Sequence, residues 1–562
     1  MRKKARIFVV IAAMSVVSIG SMGFVDNYFE ISKNLDIFAT LFRELNMYYV
    51  DETDPGKLIE EGIEGMLSSL DPYTTFIPES EMEDHRFAIT GKYGGIGALI
   101  RKRGERVLIA EPYEGYPAHK AGLLAGDILV EVNGTRIEGK NTSQVSKVLK
   151  GQAGTTVKLI VERAGNKDPI EVTLERAEIK INPVPYSGMV DDHIGYIKLN
   201  SFTSKASSEI KKALLHLKEN NELEGVILDL RSNPGGLLRE SVNLVNLFVG
   251  KGKTIVSTKG KMEDWDKVHR ALNAPIDEEL PMVVLVNSHS ASASEIVSGA
   301  LQDHDRAVVI GSKTFGKGLV QQTLKLTYNS QLKVTTAKYY IPSGRCIQAL
   351  DYTNRNDDGS VGKVPDSLIT EFKTANGRTV YDGGGIDPDI SVEKRPRINI
   401  LSKLVSKLLI FDYSVQYARE HKELLSPREF EITDEEYKKF IAFLEDKDYK
   451  YTTKSEEQLK ELKKIAEKEN YYDGVKDEYE ALKKKLTHTE TDDLEKFKSE
   501  IKRRLKSEII TRYYFQKGRI EGALSSDEHV QKAMEVLSDN ATYSGILTSV
   551  STSEVKPEEK NK

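Results

Sequence analysis

Cysteine and tryptophan are almost missing from this chain. Its 562 residues include one Cys, Cys346, and one Trp. A single thiol excludes an intramolecular disulfide, and it is a poor start for a metal site. A lone Cys can serve as a nucleophile, but a packed residue on a strand is the plainer interpretation of Cys346.

An excess of positive charge is missing as well. The chain has 81 Lys and Arg against 86 Asp and Glu, which gives a formal net charge of −5. Nucleic-acid binding is therefore not expected, because it needs a concentrated basic surface. The content of 39% hydrophobic and 30% charged residues is typical of a globular protein with a polar surface, and the length allows about three or four domains.

The N-terminus carries a long uncharged run. Four basic residues among the first six precede an uncharged stretch from Ile7 to Val25, which is the pattern of an export signal. The stretch is long enough to span a bilayer, so residues 1–25 are a signal peptide or a membrane anchor; a buried helix is the alternative. Export would place the chain outside the cytoplasm, in the periplasm of a Gram-negative cell, either soluble or anchored to the inner membrane.

Four regions and a short tail follow the export segment. Apolar residues at helical spacing predict helices over 26–86, with a stop at Asp71-Pro72. Short β-rich segments and turns mark residues 87–177, and alternating strands and helices mark 178–394, which indicates an α/β layer. Lys- and Glu-rich helical spacing marks 395–551, before a disordered tail at 552–562. Specific expectations are strands over Ile128–Val132, Gly225–Asp229 and Met282–Val286, and helices over Leu58–Leu70, Thr142–Leu149 and Ser204–Glu219.

The β-rich region opens on a glycine-rich segment, Gly91–Ile100, and continues through Pro117–Leu129 to Val132-Asn133-Gly134. Glycines let backbone N–H groups converge into a nest for a chain-terminal carboxylate, and the strand that follows can accept an extended peptide. One glycine loop alone would be an ordinary hairpin, but together these segments resemble a PDZ domain. The predicted peptide-binding residues are Gly95, Ile96, Gly97, Ala98 and Ile100.

The segment Val286–Ile296 joins an apolar strand to a predicted helix and contains four serines. A nucleophile at such a junction is exposed at the end of the sheet. The helix N-terminus there offers N–H donors and positive potential to a developing oxyanion. Ser292 and Glu295 also have the spacing of a capping box, so this segment alone leaves a purely structural role open.

A second glycine-rich segment, Gly311–Gln321, places Lys317 between two glycines. A serine hydroxyl needs a base, and a lysine can act as one when desolvation lowers its pKa toward neutrality. The apolar neighbours Phe315, Leu319 and Val320 are expected to desolvate the amine, and Gln321 could hydrogen-bond it. A surface lysine in a glycine turn is the alternative.

A third segment, Leu228–Gly236, ends a predicted strand in a tight turn with two glycines. The backbone N–H of Gly235 or Gly236 could form one half of an oxyanion hole. The N–H of Ala293, just after the candidate nucleophile, would form the other half. A structural β–α turn is the alternative interpretation.

Together the three segments resemble the C-terminal processing peptidases, also called tail-specific proteases. The resemblance extends to Leu70–Thr74, Thr335–Arg345 and Gly385–Asp389, and it covers about residues 37–392. It implies that Ser292 is the nucleophile, Lys317 the general base and Gln321 its support. It also implies that the α/β peptidase core is of the crotonase (ClpP-like) type, whereas the region after Arg395 lies outside the family pattern. The predicted fold is therefore multidomain α+β, with an N-terminal helical region, a PDZ domain, this core and an all-helical C-terminal region.

The expected function is that of a serine endopeptidase whose PDZ domain captures protein or peptide substrates by their free C-termini. Cleavage would pass through an acyl-enzyme without a metal or cofactor. A homo-oligomer or an adaptor could use the C-terminal helices. Two alternatives are a Ser-His arrangement with His289 or His304, and a catalytically silent PDZ adaptor.

Overall fold

The computed structural model describes residues 28–356, 358–393, 396–486 and 489–548. The predicted export segment at 1–25 and the predicted tail at 552–562 lie outside these ranges. Within them, no helix combines the length and the apolar composition that crossing a membrane requires. The described residues form two compact units, one within 1–79 together with 321–335 and one within 80–320 together with 336–562.

The elements up to the end of the predicted PDZ region are α1 (28–48), α2 (Pro55–Ser68), β1 (Thr75–Ile77), α3 (Met82–Thr90), β2 (Lys92–Gly95), β3 (Ala98–Arg103), β4 (Arg106–Pro112), α4 (Pro117–Lys120), β5 (Ile128–Val132), β6 (Thr135–Arg136), α5 (Thr142–Leu149), β7 (Thr156–Glu162), β8 (Ile170–Glu175) and β9 (Ala177–Lys180). Those of the predicted peptidase core are β10 (Tyr186–Met189), β11 (Ile194–Lys198), α6 (Ala206–Asn220), β12 (Gly225–Asp229), α7 (Leu238–Val245), β13 (Thr254–Gly260), β14 (Lys267–Arg270), β15 (Met282–Val286), α8 (Ala293–Asp303), β16 (Val308–Gly311), β17 (Leu319–Lys325), β18 (Gln331–Tyr340), β19 (Leu350–Arg355), β20 (Val361–Lys363), β21 (Glu371–Lys373), β22 (Thr379–Tyr381) and β23 (Ile390–Ser391). The remaining helices are α9 (Asn399–Ser406), α10 (Leu409–Glu420), α11 (Asp434–Leu444), α12 (Lys454–Lys468), α13 (Lys476–Leu486), α14 (Glu490–Lys496), α15 (Lys498–Glu521), α16 (Glu528–Ser538) and α17 (Asn540–Thr548).

The smaller unit holds α1, α2 and β1. The N-cap Asp54 starts α2 by accepting the N–H of Lys57 at 3.2 Å, and the helix ends before Asp71-Pro72, as predicted from the proline. Strand β1 pairs antiparallel with the first residues of β18. The predicted helical region 26–86 is therefore interrupted by a strand.

The predicted PDZ region folds around an antiparallel sheet with the order β3-β4-β5-β7-β8. Alternate strand residues such as Val157, Leu159 and Val161 point into one buried core, as the two-residue period of a strand requires. Strand β3 lies at the edge of this sheet, and α5 packs beside it. An edge strand next to a helix leaves a groove open to an added strand.

The predicted peptidase core is built on a second sheet, with the order β10-β11-β12-β15-β16-β23. Its pairs are parallel except for β10 with β11. One face packs on α6, α7 and α8, and the other face packs on α16 and α17. Covering on both faces explains why β12 and β15 are apolar runs without alternation.

The C-terminal helices contact both neighbouring regions of the larger unit. Phe411 of α10 packs on Leu108 of the PDZ region, and Arg512 of α15 donates to the carbonyl of Ala110 at 2.8 Å. Helices α16 and α17 complete the peptidase sandwich, with the Tyr543 hydroxyl accepting the N–H of Met282 at 3.0 Å. The region 395–551, predicted as one helical appendage, therefore includes two helices that pack on the sheet of the peptidase core.

Candidate active site

The four serines that precede Glu295 differ in their environment. Ser290 and Ser294 are fully buried. The Ser290 hydroxyl donates to the carbonyl of Leu230 at 2.8 Å, and the Ser294 hydroxyl donates to the carbonyl of Asn233 at 2.9 Å. Ser288 lies earlier in the loop, beside the exposed His289. Ser292 is half-buried at the mouth of α8, so its hydroxyl is the one best placed at the helix N-terminus to meet a substrate.

The backbone of Ser292 is strained. Its φ of 56° and ψ of −111° lie where a residue with a Cβ rarely sits, at a cost of about 1–3 kcal/mol. Such a turn between a strand and a helix projects the serine side chain away from the sheet. Strain of this kind persists when surrounding contacts hold it in place, and here Glu295 makes one of them.

Glu295 is a fully buried carboxylate that joins the serine segment to the lysine segment. Its Oε2 accepts the backbone N–H of Ser292 at 2.7 Å and that of Lys317 at 2.9 Å. Its Oε1 accepts the Thr314 hydroxyl at 2.6 Å and the N–H of Gly316 at 2.7 Å. Burial raises the pKa of Glu295 to about 7, although these four hydrogen bonds favour the charged form.

Tyr339 makes a second connection between the same two residues. Its hydroxyl lies 2.7 Å from the carbonyl oxygen of Lys317 and 3.1 Å from that of Ser292. The side chain is buried, and burial raises its pKa well above the ordinary value, so the phenol stays a neutral donor. Glu295 holds the N–H side and Tyr339 the carbonyl side, so the backbones of Ser292 and Lys317 are fixed next to each other.

The expected surroundings of Lys317 are found in part. Lys317 is half-buried, and Leu319 is buried at 6% exposure. Phe315, by contrast, is 48% exposed, so it contributes less desolvation than predicted. Its backbone N–H instead donates to the carbonyl of Ser290 at 3.0 Å, a further connection between the lysine and serine segments.

The turn predicted to stabilise an oxyanion meets the serine segment directly. The carbonyl of Asn233 accepts the N–H of Ala291 at 3.0 Å. A Cβ on Gly235 would lie 2.9 Å from the Ser292 Cβ and 3.0 Å from the Ala293 nitrogen, and one on Gly236 would lie 2.4 Å from a backbone oxygen. Both glycines have positive φ. No larger residue fits this approach, which explains the paired glycines.

The two candidate glycine donors are not equivalent. The N–H of Gly235 donates to the Asn233 side chain at 2.9 Å, so it is occupied. The N–H groups of Gly236 and Ala293 have no hydrogen-bond acceptor in the part of the chain that the structure describes. Gly236 and Ala293 are therefore the pair whose N–H groups are available to an incoming oxygen.

Gln321 belongs to the smaller unit, together with the Leu70–Thr74 motif and Thr335. Its amide donates to the Thr335 hydroxyl at 3.0 Å, and that hydroxyl donates to Asp71 Oδ1 at 3.1 Å. Asp71 also accepts the N–H groups of Tyr73 and Thr74 at 2.8 and 2.9 Å. Asp71 thus joins the Leu70–Thr74 motif to Thr335, and the predicted support of Lys317 by Gln321 stays a prediction.

The predicted carboxylate nest has unpaired donors. The N–H groups of Ile96 and Gly97 find no acceptor within the described ranges, whereas their carbonyls accept from Ala118 and Tyr113, both at 2.8 Å. Ala98 and Ile100 follow on the edge strand β3, and with Val148 of α5 they pack partly buried against the core. Gly95 ends β2, where it pairs with Ala177 of β9. Val148 is a groove residue that the sequence pattern did not single out.

The two histidines proposed as an alternative base lie in different places. His304 follows the last residue of α8, about 16 Å along the helix axis from its start. Its ring nitrogen contacts the carbonyl of Thr254 at 2.7 Å, and burial lowers its pKa. His289 is exposed, on the loop before Ser292. The described residues also include no group of three His, Cys, Asp or Glu side chains that could hold a metal ion.

Replacing His289 with alanine is expected to leave kcat/KM for a peptide substrate within about twofold of the unmodified protein. The imidazole is exposed, and the loop is held without it, by the backbone N–H of His289 donating to the Asn287 side chain at 3.0 Å. Steady-state cleavage kinetics check this. A loss of a hundredfold or more would instead support the Ser-His arrangement.

Comparison with known proteins places these features in one family. The model of peptidase family S41 matches residues 193–355, a PDZ domain model matches 108–163, and the model described as "Probable PDZ-protease, C-terminal helical domain" matches 400–537. A carboxy-terminal-processing protease of Bartonella bacilliformis is 39% identical over 324 residues, which are 57% of this chain and 74% of the relative.

A second relative and two solved structures are also similar to this chain. A probable CtpA-like serine protease of Staphylococcus haemolyticus is 36% identical over 308 residues, 54% of this chain and 61% of the relative. Among solved structures, the photosystem II D1 C-terminal processing protease is 28% identical with a TM-score of 0.35, over 63% of this chain and 92% of that one. The peptide-bound PDZ domain of a Vibrio cholerae carboxy-terminal protease is also 28% identical, with a TM-score of 0.15, over 16% of this chain and 99% of that one.

Proposed function

The chain belongs to peptidase family S41, the family of the carboxy-terminal-processing proteases, and from this premise we propose that it is a serine endopeptidase with a Ser292–Lys317 dyad. The observation that carries the proposal is the shared oxygen of Glu295, which accepts the N–H of Ser292 at 2.7 Å and the N–H of Lys317 at 2.9 Å. A nucleophile and its base must lie within hydrogen-bond reach of each other. Glu295 and Tyr339 supply a rigid frame for such a pair.

The proposed reaction begins when neutral Lys317 takes the hydroxyl proton of Ser292. The Ser292 Oγ attacks the scissile carbonyl, and the oxyanion receives hydrogen bonds from the N–H groups of Ala293 and Gly236. Lys317 then protonates the leaving amine, and water releases the acyl group from Ser292. Gly235 shapes the turn without donating, because its N–H is bound to Asn233. Loss of one oxyanion donor typically costs about 10²–10³ in kcat.

The PDZ domain is proposed to select substrates by their C-terminal carboxylate. The free N–H groups of Ile96 and Gly97 supply the nest, and the edge strand β3 supplies pairing for the extended tail. The buried parallel sheet is compatible with the proposed crotonase-type core, and the domain boundaries near residues 87, 178 and 395 remain proposals. Export through residues 1–25 is proposed on the sequence pattern alone.

The test compares one protein substrate with a free C-terminus and the same substrate with a C-terminal amide. The amide is expected to lower kcat/KM at least about tenfold, because a neutral terminus loses charge-assisted hydrogen bonds to the nest. Mass spectrometry of the products gives the cleavage sites. Ile100→Asp is the matched variant. It should abolish the preference for the free C-terminus over the amide, because it blocks the groove beside β3. Equal cleavage of both substrates would contradict tail recognition, and peptide binding without any cleavage would favour the adaptor alternative.

A further inference from the structure

A buried ionic network lies at the carboxyl end of β12. It directly precedes residues 231–236, the turn that carries the Gly236 N–H and is called the oxyanion turn below. Asp229 is 1% exposed and accepts the Tyr196 hydroxyl at 2.7 Å and the Lys198 amine at 3.0 Å. Its Oδ2 also accepts Nη2 of Arg231 at 2.6 Å. Burial alone would raise the pKa of Asp229, but the charges of Arg231 and Lys198 hold it well below the ordinary range.

Arg231 carries this network across to the C-terminal helices. Its Nη1 donates to Asp527 Oδ1 at 2.9 Å, and Nη2 lies 2.8 Å from Asp527 Oδ2. A planar guanidinium bound by two carboxylates in this way is fixed in orientation as well as in position. Asp527 itself is anchored, because it is the N-cap of α16 and accepts the N–H groups of His529 and Val530.

Arg231 is also the residue from which the oxyanion turn starts. Its carbonyl accepts the Lys198 amine at 2.7 Å, and the next residue, Ser232, has a positive φ of 59°. Gly236, whose N–H is available to the oxyanion, lies five positions after Arg231. Arg231 and Asp527 are 296 positions apart in the sequence. Through this contact the N-cap of α16 joins the network around Asp229.

We propose that Asp527 is a positioning residue for catalysis, which holds Arg231 and through it the turn that carries the Gly236 N–H. This inference rests on the proposed serine peptidase function and deepens it, since it assigns the C-terminal helices a part in the oxyanion hole. Without the Asp527 charge, the Arg231 guanidinium keeps its hydrogen bonds to Asp229 alone, and the turn gains freedom to shift. A displacement of about 1 Å in a catalytic group can cost about 10²-fold in rate.

The test is Asp527→Asn, with Asp539→Asn as the matched control. Asparagine is as good an N-cap as aspartate, so the first variant removes the ionic contact and keeps the helix start. Asp539 caps α17 through the N–H groups of Ala541 and Thr542 and is exposed. Asp527→Asn is expected to lower kcat about 10–100-fold with KM within twofold, and Asp539→Asn to leave both within twofold.

Two further readouts separate positioning from a general loss of structure. A peptide aldehyde places an oxyanion in the hole when it adds to Ser292, so its affinity should fall in Asp527→Asn by about the same factor as kcat. Hydrogen exchange of the hydrogen-bonded amides of Ser232, Asn233 and Gly235 should rise in that variant and not in Asp539→Asn. Asp527→Glu is expected to restore part of kcat.

Unchanged kcat and unchanged exchange in Asp527→Asn would overturn the proposal, and so would equal losses in both variants. Failure of the peptidase assignment is recognised separately, because the unmodified protein would then cleave nothing, and a wrong nucleophile would show as cleavage retained by Ser292→Ala. The exchange measurement needs no activity, so it decides the structural part of the inference in either case.

Discussion

Replacing Lys317 with methionine is expected to lower kcat by a factor on the order of 10⁴, and Ser292→Ala by at least as much. Methionine keeps the apolar stem of the lysine as far as Cε, but it has no amine to take the Ser292 proton. A serine hydroxyl without a base is a weak nucleophile. Single-turnover cleavage of a substrate with a free C-terminus measures the loss, and calorimetry with a short tail peptide should show unchanged binding to the PDZ domain.

Lys313 provides the matched control for Lys317. It lies in the same glycine-rich segment, but it is exposed and pairs with Asp387 at 3.1 Å. Lys313→Met should therefore leave kcat within about twofold. Full cleavage by Lys317→Met, or a similar loss in both variants, would show that Lys317 is not the specific base. Retained cleavage by Ser292→Ala would sink the dyad altogether.

Glu295→Gln is expected to lower kcat about 10²-fold, although the change keeps the shape of the side chain. Both carboxylate oxygens accept two hydrogen bonds, and both receive backbone N–H groups, from Gly316 on one side and from Ser292 and Lys317 on the other. The amide of a glutamine must turn its NH₂ group toward one of these sides. There the NH₂ group would face a backbone N–H, so two donors would meet without an acceptor. An unsatisfied buried donor costs about 1–3 kcal/mol, and the shift it causes would separate Ser292 from Lys317.

Asp303→Asn at the other end of α8 is the control for a loss of stability alone. Asp303 forms a buried ion pair with Arg345 at 2.9 Å. Removing this ion pair should lower the free energy of unfolding at least as much as Glu295→Gln does. Its kcat should nevertheless stay near that of the unmodified protein. If Asp303→Asn loses kcat in parallel, or if Glu295→Gln retains it, Glu295 has no special part in aligning the dyad.

The titration of Glu295 adds a pH dependence to this comparison. Its pKa is raised from 4.5 to about 7 by burial, so the folded state binds the proton more tightly than the unfolded state does. Stability from this group is fully present below pH 4.5 and is lost as pH rises through about 7, by about 3 kcal/mol. Denaturant unfolding should show this decrease in the unmodified protein, and Glu295→Gln should lack it. Equal slopes in the two proteins would show that Glu295 keeps an ordinary pKa.

Much of the secondary structure could be predicted because its signals are local. The strands expected over Ile128–Val132, Gly225–Asp229 and Met282–Val286 are confirmed without a shift, and so is the helix Thr142–Leu149. Asn133 and Gly134 both have the positive φ that their tight turn requires. Helix α6 lies two residues later at its start and one later at its end than expected, which reflects how weakly sequence defines helix ends.

Other features depend on contacts that no local pattern records. The kink at Phe515 inside α15, with a φ of 50°, lies where its ring packs edge-on against His119 of the PDZ region. The capping-box spacing of Ser292 and Glu295 pointed to a structural role, and the same carboxylate reaches the lysine segment as well. The sequence pattern did not single out Asp527, and the structure shows both that it is the N-cap of α16 and that it contacts Arg231.

The sequence by itself determined the strand and helix segments, the three glycine- and serine-containing turns, and the family they resemble, since each depends on residues close along the chain. The tertiary structure decided which of these groups act together. It paired the Gly235 N–H with Asn233 and left the Gly236 N–H without an acceptor among the described residues, and it joined Ser292 to Lys317 through Glu295 and Tyr339. It also placed Asp527 on Arg231. The physical reason is that hydrogen bonds and ion pairs depend on distance in space, and folding sets that distance between segments far apart in sequence.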